Sequence, residues 1–429
     1  MVQKNDSGVD KKLLLDLLAA VFLGVVGALA VLAFHGALRG VRHVLYGQID
    51  GLVNTARALL WWQRLSIPAI GGVVAGLLLQ WSRRLQASRT TQDYMAVVTQ
   101  GDGYISIPFT ALRALSSLCS VVSGASIGRE TPMVQLAALG SSVLGRLWHL
   151  PQDRLRLWVA CGVAAGISAA YHAPFAGVLF VAEMMLGMFA IKVIGPLVMA
   201  SVTAHVVVQQ FSGFAPLYSM PAFSLNMSGN MLAFAVLALC AGVLSPAFLH
   251  LLIWAKKPFA ALPSGALWLR LGLGGLVVGG ISTFEPAVWG NGYSVVNSIL
   301  QGGWLWQNLL MIMLLKMLAT AVSTGSGAIG GVFTPTLLVG AVLGAVAGLL
   351  SNYFFPGLAP QAAWVSAGMG AFLAANTHAP LMAATMIFEM TGSSQMIVPL
   401  LLVCVLATSV KKLLMPESIY THALPKNTA

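Results

Sequence analysis

The chain has 429 residues, of which 58% are hydrophobic and only 8% are charged, and its mean hydropathy is +0.85. Most of these residues cannot face water, so the composition excludes a soluble globular protein and predicts a polytopic membrane protein. Basic residues outnumber acidic ones by 23 to 12. They do not indicate nucleic-acid binding, because no basic patch is interleaved with aromatic residues.

Apolar stretches follow one another along the whole chain and predict an all-α fold. Several are too short or too rich in glycine to cross a membrane straight, so we expect broken and re-entrant helices among the full spans. The first apolar segment, Leu13 to Phe34, is longer than the core of a usual signal peptide and is expected to be retained. The predicted parts are an N-terminal tail (1–12), a first transmembrane half (13–211), a connecting segment (212–228), a second transmembrane half (229–412) and a C-terminal tail (413–429).

The basic residues cluster at the ends of the apolar runs. By the positive-inside rule these loops are cytoplasmic, and both termini are then cytoplasmic as well. The clusters are Lys4, Lys11 and Lys12; Arg83, Arg84 and Arg89; Arg146, Arg154 and Arg156; Lys256 and Lys257; Lys411 and Lys412. The four cysteines stand alone in apolar sequence, which predicts neither a disulfide framework nor a metal site, and no cofactor is expected.

Two segments of the first half recur in the second. Gly162 to Met184 and Gly368 to Met390 share a His-Ala-Pro and a Glu-Met pair at an offset of 206 (378 − 172). Upstream of these, residues 123–132 and 326–335 share six of ten positions at an offset of 203 (335 − 132). Two homologous halves of inverted topology that meet at glycine-broken helices are typical of transporters with a substrate site near the membrane midplane.

The first repeat contains Gly128-Arg129-Glu130-Thr131-Pro132. Proline is well tolerated at the first position of a helix, so a helix is predicted to begin at Pro132. The free amides and the positive dipole end of such a helix favour an anion. Glu130 would occupy the place of that anion when it is ionised and leave it when protonated, acting as gate and proton carrier. In the alternative interpretation, Glu130 caps the helix and pairs with Arg129.

The second repeat contains Gly330-Gly331-Val332-Phe333-Thr334-Pro335 and places Phe333 where the first has Glu130. A proline-started helix is again predicted, and the amides of Val332 and Phe333 would face an anion beside an apolar wall. The alternative is a glycine hinge at which two membrane helices pack closely.

These motifs resemble the CLC family of chloride channels and chloride/proton antiporters. The resemblance rests on GRETP, GGVFTP, the two HAP…EM segments, the PAVWGNGY stretch from Pro286 to Tyr293, and Tyr420 in PESIY. It covers the chain from about Leu13 to Leu424, and is strongest to bacterial members of the family.

The resemblance implies a homodimer in membrane lipid, with one separate anion pathway per subunit built from two inverted halves. It implies that Glu130 is the external gating glutamate and that the hydroxyl of Tyr420 closes the inner side of the pathway. The residues that it places at chloride are Gly128, Arg129, Gly331, Val332, Phe333 and Tyr420.

The chain departs from the family pattern in two places. The signature GSGIP, whose serine hydroxyl binds chloride, is absent; counting back from Gly128 places Thr91 or Gln92 in its position. The similar stretch around Ser106 lies too near Glu130 to take its place.

The second departure concerns protons: many antiporters of the family have two adjacent glutamates after the HAP or NAP motif, whereas here Glu183 is followed by Met184. A thioether carries no proton at physiological pH, which favours channel-like or loosely coupled transport. Glu183 is kept as a candidate for a proton path, with a helix-bridging role as the alternative.

The expected function is therefore that of a voltage-gated-type chloride channel or a chloride/proton antiporter in the inner membrane of a bacterium. We expect an electrical shunt that opens in acid when Glu130 is protonated. One alternative is a carrier of another small anion, such as fluoride or nitrate, on the same scaffold.

An intramembrane serine protease is a remote alternative. Residues 124–128 fit G-x-S-x-G with Ser126 as the nucleophile, and His172 or His378 as a base. The apolar sequence does not predict the strand-to-helix turn that such a nucleophile needs. No enzymatic activity is therefore expected.

Overall fold

The computed structural model describes residues 6–47, 51–85, 93–187, 191–213, 216–221, 223–225, 227–263 and 265–420. This part of the chain is helical apart from turns and connecting segments, and its one extended pairing is an isolated antiparallel bridge between Gly128 and Gly331.

The α-helices are named in chain order. They are α1 (Asp6–Tyr46), α2 (Leu52–Ala58), α3 (Trp61–Arg84), α4 (Tyr94–Thr99), α5 (Ile107–Val122), α6 (Glu130–Leu147), α7 (Gln152–Tyr171), α8 (Pro174–Leu179), α9 (Ile191–Ser212), α10 (Met227–Trp254), α11 (Lys256–Ala260), α12 (Leu267–Phe284), α13 (Tyr293–Gln301), α14 (Trp306–Ser326), α15 (Phe333–Phe354), α16 (Gln361–Thr377), α17 (Pro380–Thr391) and α18 (Ile397–Leu414). A π-helical stretch, Phe180–Leu186, continues α8, and 3-10 turns occupy Pro286–Val288 and Ser394–Met396.

Eight helical stretches in these residues are long and apolar enough to cross a membrane. They are Leu14–Tyr46, Trp61–Arg84, Val193–Ser212, Gly229–Ala260, Leu267–Phe284, Trp306–Ser326, Phe333–Phe354 and Ser394–Leu414. Two shorter apolar helical stretches, Ile107–Val122 and Pro174–Leu186, stand among them. The prediction of a polytopic all-α protein that mixes full spans with shorter helices is confirmed.

One compact unit comprises Met1–Gly36, Gln86–Thr110 and Met133–Ala215. Small residues let its helices approach closely, as membrane helices commonly do. A Cβ atom at Gly166 would lie only 3.0 Å from the Cα atom of Val134, so α6 and α7 pack closely there. In the same unit Arg154 forms an ion pair with Asp16.

The other unit comprises Ala37–Leu85, Ala111–Pro132 and Pro216–Ala429. In this unit α3 and α12 touch backbone to backbone, because a Cβ atom at Gly72 or Gly275 would overlap the carbonyl of Leu271 or Pro68 respectively. The unit contains both glycine-rich repeats, residues 123–132 and 326–335, and it therefore contains the candidate site.

The HAP segments have the same local structure in both halves of the sequence. His172 ends α7 and His378 ends α16, each in the left-handed conformation, with φ of 56° and 60°. Pro174 and Pro380 then occupy the first position of the next helix, where a missing amide hydrogen costs little. Both histidines are thus helix-end residues.

Candidate functional site

The two glycine-rich loops meet at aligned positions of the repeat. The amide of Gly128 donates to the carbonyl of Gly331 at 2.7 Å, and the amide of Gly331 donates to the carbonyl of Gly128 at 2.9 Å. Helix α6 begins at Glu130 and α15 at Phe333, two residues after each glycine. The expected start at Pro132 is wrong by two residues, because proline is tolerated throughout a first turn, whose amides have no acceptor within the helix.

The carboxylate of Glu130 is buried at this junction, and the side chain is 4% exposed. Its Oε1 accepts a hydrogen bond from Nδ2 of Asn291 at 2.9 Å. Its Oε2 has no hydrogen-bond partner among the described residues, and it occupies the space that a side chain at Gly128 would fill. The carboxylate therefore folds back over the glycine bridge. A buried, half-satisfied carboxylate is costly, which marks this place as a candidate functional site.

Arg129 does not neutralise Glu130. In the part of the chain that the structure describes, the two side chains form no ion pair, and the guanidinium of Arg129 lies over the ring of Tyr293 at 5.8 Å from its centre. The interpretation in which Glu130 caps the helix and pairs with Arg129 is therefore not supported, because Arg129 does not supply the cation.

A cavity of about 150 Å³ adjoins this junction. Its lining includes Arg42 and Arg129 together with Asn291 and Tyr293. Two guanidinium groups in one cavity raise the local concentration of anions. Asn291 lines this cavity and also bonds to Glu130, so the cavity extends to the residue that holds the carboxylate.

Two tyrosines stand beside Glu130. The rings of Tyr218 and Tyr293 lie 5.3 Å apart, and the amide of Tyr218 donates to the carbonyl of Met390 at 2.9 Å. Burial, and then the charge of Glu130, raise the pKa of Tyr218 well above its ordinary value. The hydroxyl of Tyr218 therefore stays protonated. It is buried and has no hydrogen-bond partner in the described residues, which leaves a donor available near the carboxylate.

Ser126 has a structural partner in the same loop region. Its hydroxyl lies 3.2 Å from that of Thr320, and its amide donates to the hydroxyl of Ser323 at 3.1 Å. The turn that carries it joins two helices, α5 and α6. A nucleophile elbow requires a strand before the turn, so this geometry does not support the protease interpretation.

The remaining predicted residues fall in separate places. Thr91 and Gln92 lie outside the described residues; α4 begins just after them, capped by the carboxylate of Asp93, which accepts from the amide of Met95 at 2.9 Å. Glu183 lies half-buried in the π-helical stretch. Tyr420 lies half-buried beyond the end of α18 at Leu414. The roles of these residues stay predictions.

The structure adds residues to which the sequence reasoning gave no role. Asn291 lies in the quoted PAVWGNGY stretch. Lys316 is fully buried in α14, where its ammonium donates to the carbonyls of Val288 at 3.0 Å and Gly290 at 2.6 Å. The sequence did contain a signal for Lys316, since an ionisable residue inside an apolar span is rare without a function. Tyr218, in a connecting segment, carried no such signal.

These features define a class of protein. The chain is a polytopic helical membrane protein in which two repeated helix starts are joined by a glycine bridge, with a buried carboxylate at one of them, as suits the transport of a small ion.

Residues 71–412 match the family of voltage gated chloride channels, and the chain belongs to this family, the CLC proteins. A ClcB-like chloride channel protein of Ralstonia nicotianae is 47% identical over 415 residues, which are 95% of this chain and 96% of the relative. The voltage-gated ClC-type chloride channel ClcB of Salmonella typhimurium is 40% identical over 409 residues, or 94% and 97% of the two chains.

Solved structures show the same fold. A slow cyanobacterial chloride/proton antiporter aligns with a TM-score of 0.83 at 24% identity, over 95% of this chain and 96% of the other. A CLC-type fluoride/proton antiporter aligns with a TM-score of 0.76 at 21% identity, over 97% and 98%. The predicted family and the CLC-type fold of two inverted halves with broken helices are confirmed.

Proposed function

We propose that this protein conducts chloride across the inner membrane of a bacterium and that Glu130 is the gate of its pathway. The observation that carries the proposal is the place of the carboxylate. It is buried at the first residue of α6, against the Gly128–Gly331 bridge, with one oxygen unpartnered in the described chain. A negative group already occupies a helix start that attracts anions.

The gate follows from competition between two anions for one place. While Glu130 is ionised, its carboxylate fills the position beside Gly128 and excludes chloride. Protonation removes the charge that the helix start attracts, and the neutral side chain leaves. Chloride then enters among Gly128, Arg129 and Gly331 and the amides of Val332 and Phe333, while Tyr420 provides a hydroxyl at the inner side.

Proton coupling is expected to be weak. Many antiporters of the family have two adjacent glutamates here, whereas in this chain Met184 follows Glu183. The thioether of Met184 cannot carry a proton, so a proton on Glu183 has no second carboxylate to move to. The protein therefore acts as an electrical shunt that opens as the external pH falls. The channel designation of the Salmonella relative supports this reading. The fold similarity to antiporters leaves coupled exchange as the competing mechanism.

The proposed setting is a homodimer in membrane lipid with cytoplasmic termini. Basic residues support this orientation, because they stand in the last turns of α3, α6 and α18 and directly after α10. The positive-inside rule places such ends in the cytoplasm.

The test is chloride efflux from liposomes that contain the purified protein, measured from pH 4 to pH 8. Glu130→Gln resembles the protonated side chain, so its efflux should be high and independent of pH. Asp153→Asn removes an exposed carboxylate at the start of α7 and should keep the wild-type profile. If Glu130→Gln also keeps the wild-type profile, Glu130 is not the gate.

The anion is tested in the same liposomes. Fluoride and nitrate are offered in competition with chloride, and chloride should be the preferred ion. If the protein transports fluoride or nitrate with saturation and does not transport chloride, it is a carrier of those anions and the chloride proposal is wrong.

A further inference from the structure

The loop from Glu285 to Tyr293 is held firmly in place. It begins with a 3-10 turn, Pro286–Val288, in which the amide of Ala287 donates to the carboxylate of Glu285 at 3.0 Å. Trp289 is fully buried, and its ring lies on Gly124, where a side chain could not fit. The loop thus fits against the turn that leads to Glu130.

Lys316 secures the same loop from α14. Its ammonium donates to the carbonyls on either side of Trp289, those of Val288 and Gly290. No carboxylate lies within ion-pair distance of this lysine in the described residues. A buried ammonium is tolerated only where its donors are satisfied, so these two carbonyls and the lysine stabilise each other. The backbone directly before Asn291 is fixed as a result.

The side chain of Asn291 is oriented by its neighbours. Its Oδ1 accepts from the amide of Tyr293 at 3.4 Å, so its Nδ2 is left to donate to Oε1 of Glu130 at 2.9 Å. A charge-assisted hydrogen bond of this kind is stronger with the ionised carboxylate than with the neutral acid.

We infer that Asn291 and Lys316 are positioning residues of the gate, and that they set the pH at which the pathway opens. Asn291 holds the ionised Glu130 in the blocking position, and Lys316 holds Asn291 there through the loop backbone. This inference rests on the proposed role of Glu130.

Other charged or titratable groups also surround the carboxylate. They are Arg129 on its own loop, Tyr218 and Tyr293 beside it, Arg42 in the adjoining cavity and Lys316 behind the loop. Asn291 is the residue among the described ones whose side chain donates directly to Glu130.

The first test is Asn291→Ala in the liposome efflux assay. Without the amide donor the ionised, blocking form is less stable, so the pathway should open at a higher pH. We expect the midpoint of the pH profile to rise by roughly one to two pH units. Asn297→Ala is the matched control, since Asn297 lies in α13, the helix that follows Asn291, and its side-chain oxygen accepts from the amide of Ser219 instead. Its midpoint should equal that of the wild type.

The double variant Asn291→Ala with Glu130→Gln separates this inference from the proposed function. If Glu130→Gln alone abolishes the pH dependence, Glu130 is the gate; the double variant should then match it. If Glu130→Gln behaves in this way and Asn291→Ala nevertheless leaves the midpoint unmoved, the positioning role is refuted while the gate stands. If Glu130→Gln keeps the wild-type profile, the gate itself fails.

The second test concerns Lys316. Lys316→Met removes both hydrogen bonds to the loop and should raise the midpoint, as Asn291→Ala does. Lys316→Arg keeps a cation that can donate to the same carbonyls, so its midpoint should equal that of the wild type. Lys256→Met, at an exposed lysine, is the matched control. A purely structural lysine would lower the yield of folded protein or the maximal flux and leave the midpoint where it is, which would overturn the inference for Lys316. Should Lys316→Met not fold, the milder variant Lys316→Gln, which keeps a neutral donor in place of the ammonium, decides: a midpoint above that of the wild type supports the role, and an unmoved midpoint overturns it.

Discussion

Gly128→Ala should raise the pH at which the pathway opens. Gly128 leaves room for the carboxylate of Glu130, because a Cβ atom at this position would overlap Oε2. The same Cβ atom would lie 3.1 Å from the carbonyl oxygen of Gly331, a contact that the bridge can accommodate by a small shift. The carboxylate therefore has to move, and the bridge does not have to break.

The size of the effect follows from what the displaced carboxylate loses. Its hydrogen bond from Asn291 is one to a charged acceptor, and such a bond contributes about 1.5–3 kcal/mol. Because 1.36 kcal/mol corresponds to one pH unit, loss of the bond raises the midpoint of opening by roughly one to two units. The sign is upward, since the ionised form is the blocking form and the substitution destabilises that form alone.

The assay is chloride efflux from liposomes as a function of pH, with the amount of folded protein checked by size-exclusion chromatography. Gly280→Ala is the matched control, because a Cβ atom at Gly280 in α12 meets nothing within 4 Å. In the Glu130→Ala background efflux should be independent of pH, and Gly128→Ala should leave it so; only the maximal rate should change, because the methyl group narrows the position that chloride enters. A Gly128→Ala protein that folds normally and keeps the wild-type midpoint would refute the blocking position of the carboxylate.

Three further predictions concern other parts of the chain. Tyr420→Phe should lower chloride affinity about tenfold in calorimetric titration, because it removes a hydroxyl proposed to donate to the anion; equal affinity removes Tyr420 from the site. Met184→Glu supplies a second carboxylate after Glu183, so the reversal potential under a proton gradient at symmetric chloride should shift further than in wild type. An unchanged potential would contradict this proton route. Ser126→Ala leaves the buried hydroxyl of Thr320 without its partner and should lower the free energy of unfolding by about 1–3 kcal/mol with chloride efflux retained. Loss of efflux at full stability would give Ser126 a role in transport.

The sequence predicts the helix-start architecture well because its signals are local. Glycine and proline mark the ends of helices, apolar length marks the spans, and the repeat locates equivalent positions at an offset of 203 (335 − 132). These signals predict that the two halves meet at glycine-broken helices; the hydrogen-bonded bridge between Gly128 and Gly331 is added by the structure. The start of α6 at Glu130 does not follow, because proline is tolerated at several positions of a first turn.

The partners of Glu130 could not be predicted in the same way. Asn291 is 161 residues from Glu130 along the chain, and its contact depends on the packing of Trp289 against Gly124. No periodicity or spacing encodes an approach of this kind. Lys316 was detectable as an unusual residue in an apolar span, but its partners are two backbone carbonyls, and these have no sequence signature at all.

The difference between the two repeats explains why the pathway can have a gate. Both halves present a helix start at the bridge, but the first has a titratable side chain at Glu130 and the second an apolar one at Phe333. Carboxylates at both starts would repel each other, and apolar residues at both would leave nothing for a proton to change. Neutral donors near Glu130 include the amide of Asn291 and the hydroxyl of Tyr218. Such neutral donors also suit chloride. On the proposed function, the exchange of the carboxylate for chloride therefore replaces one anion by another at donors that are already in place.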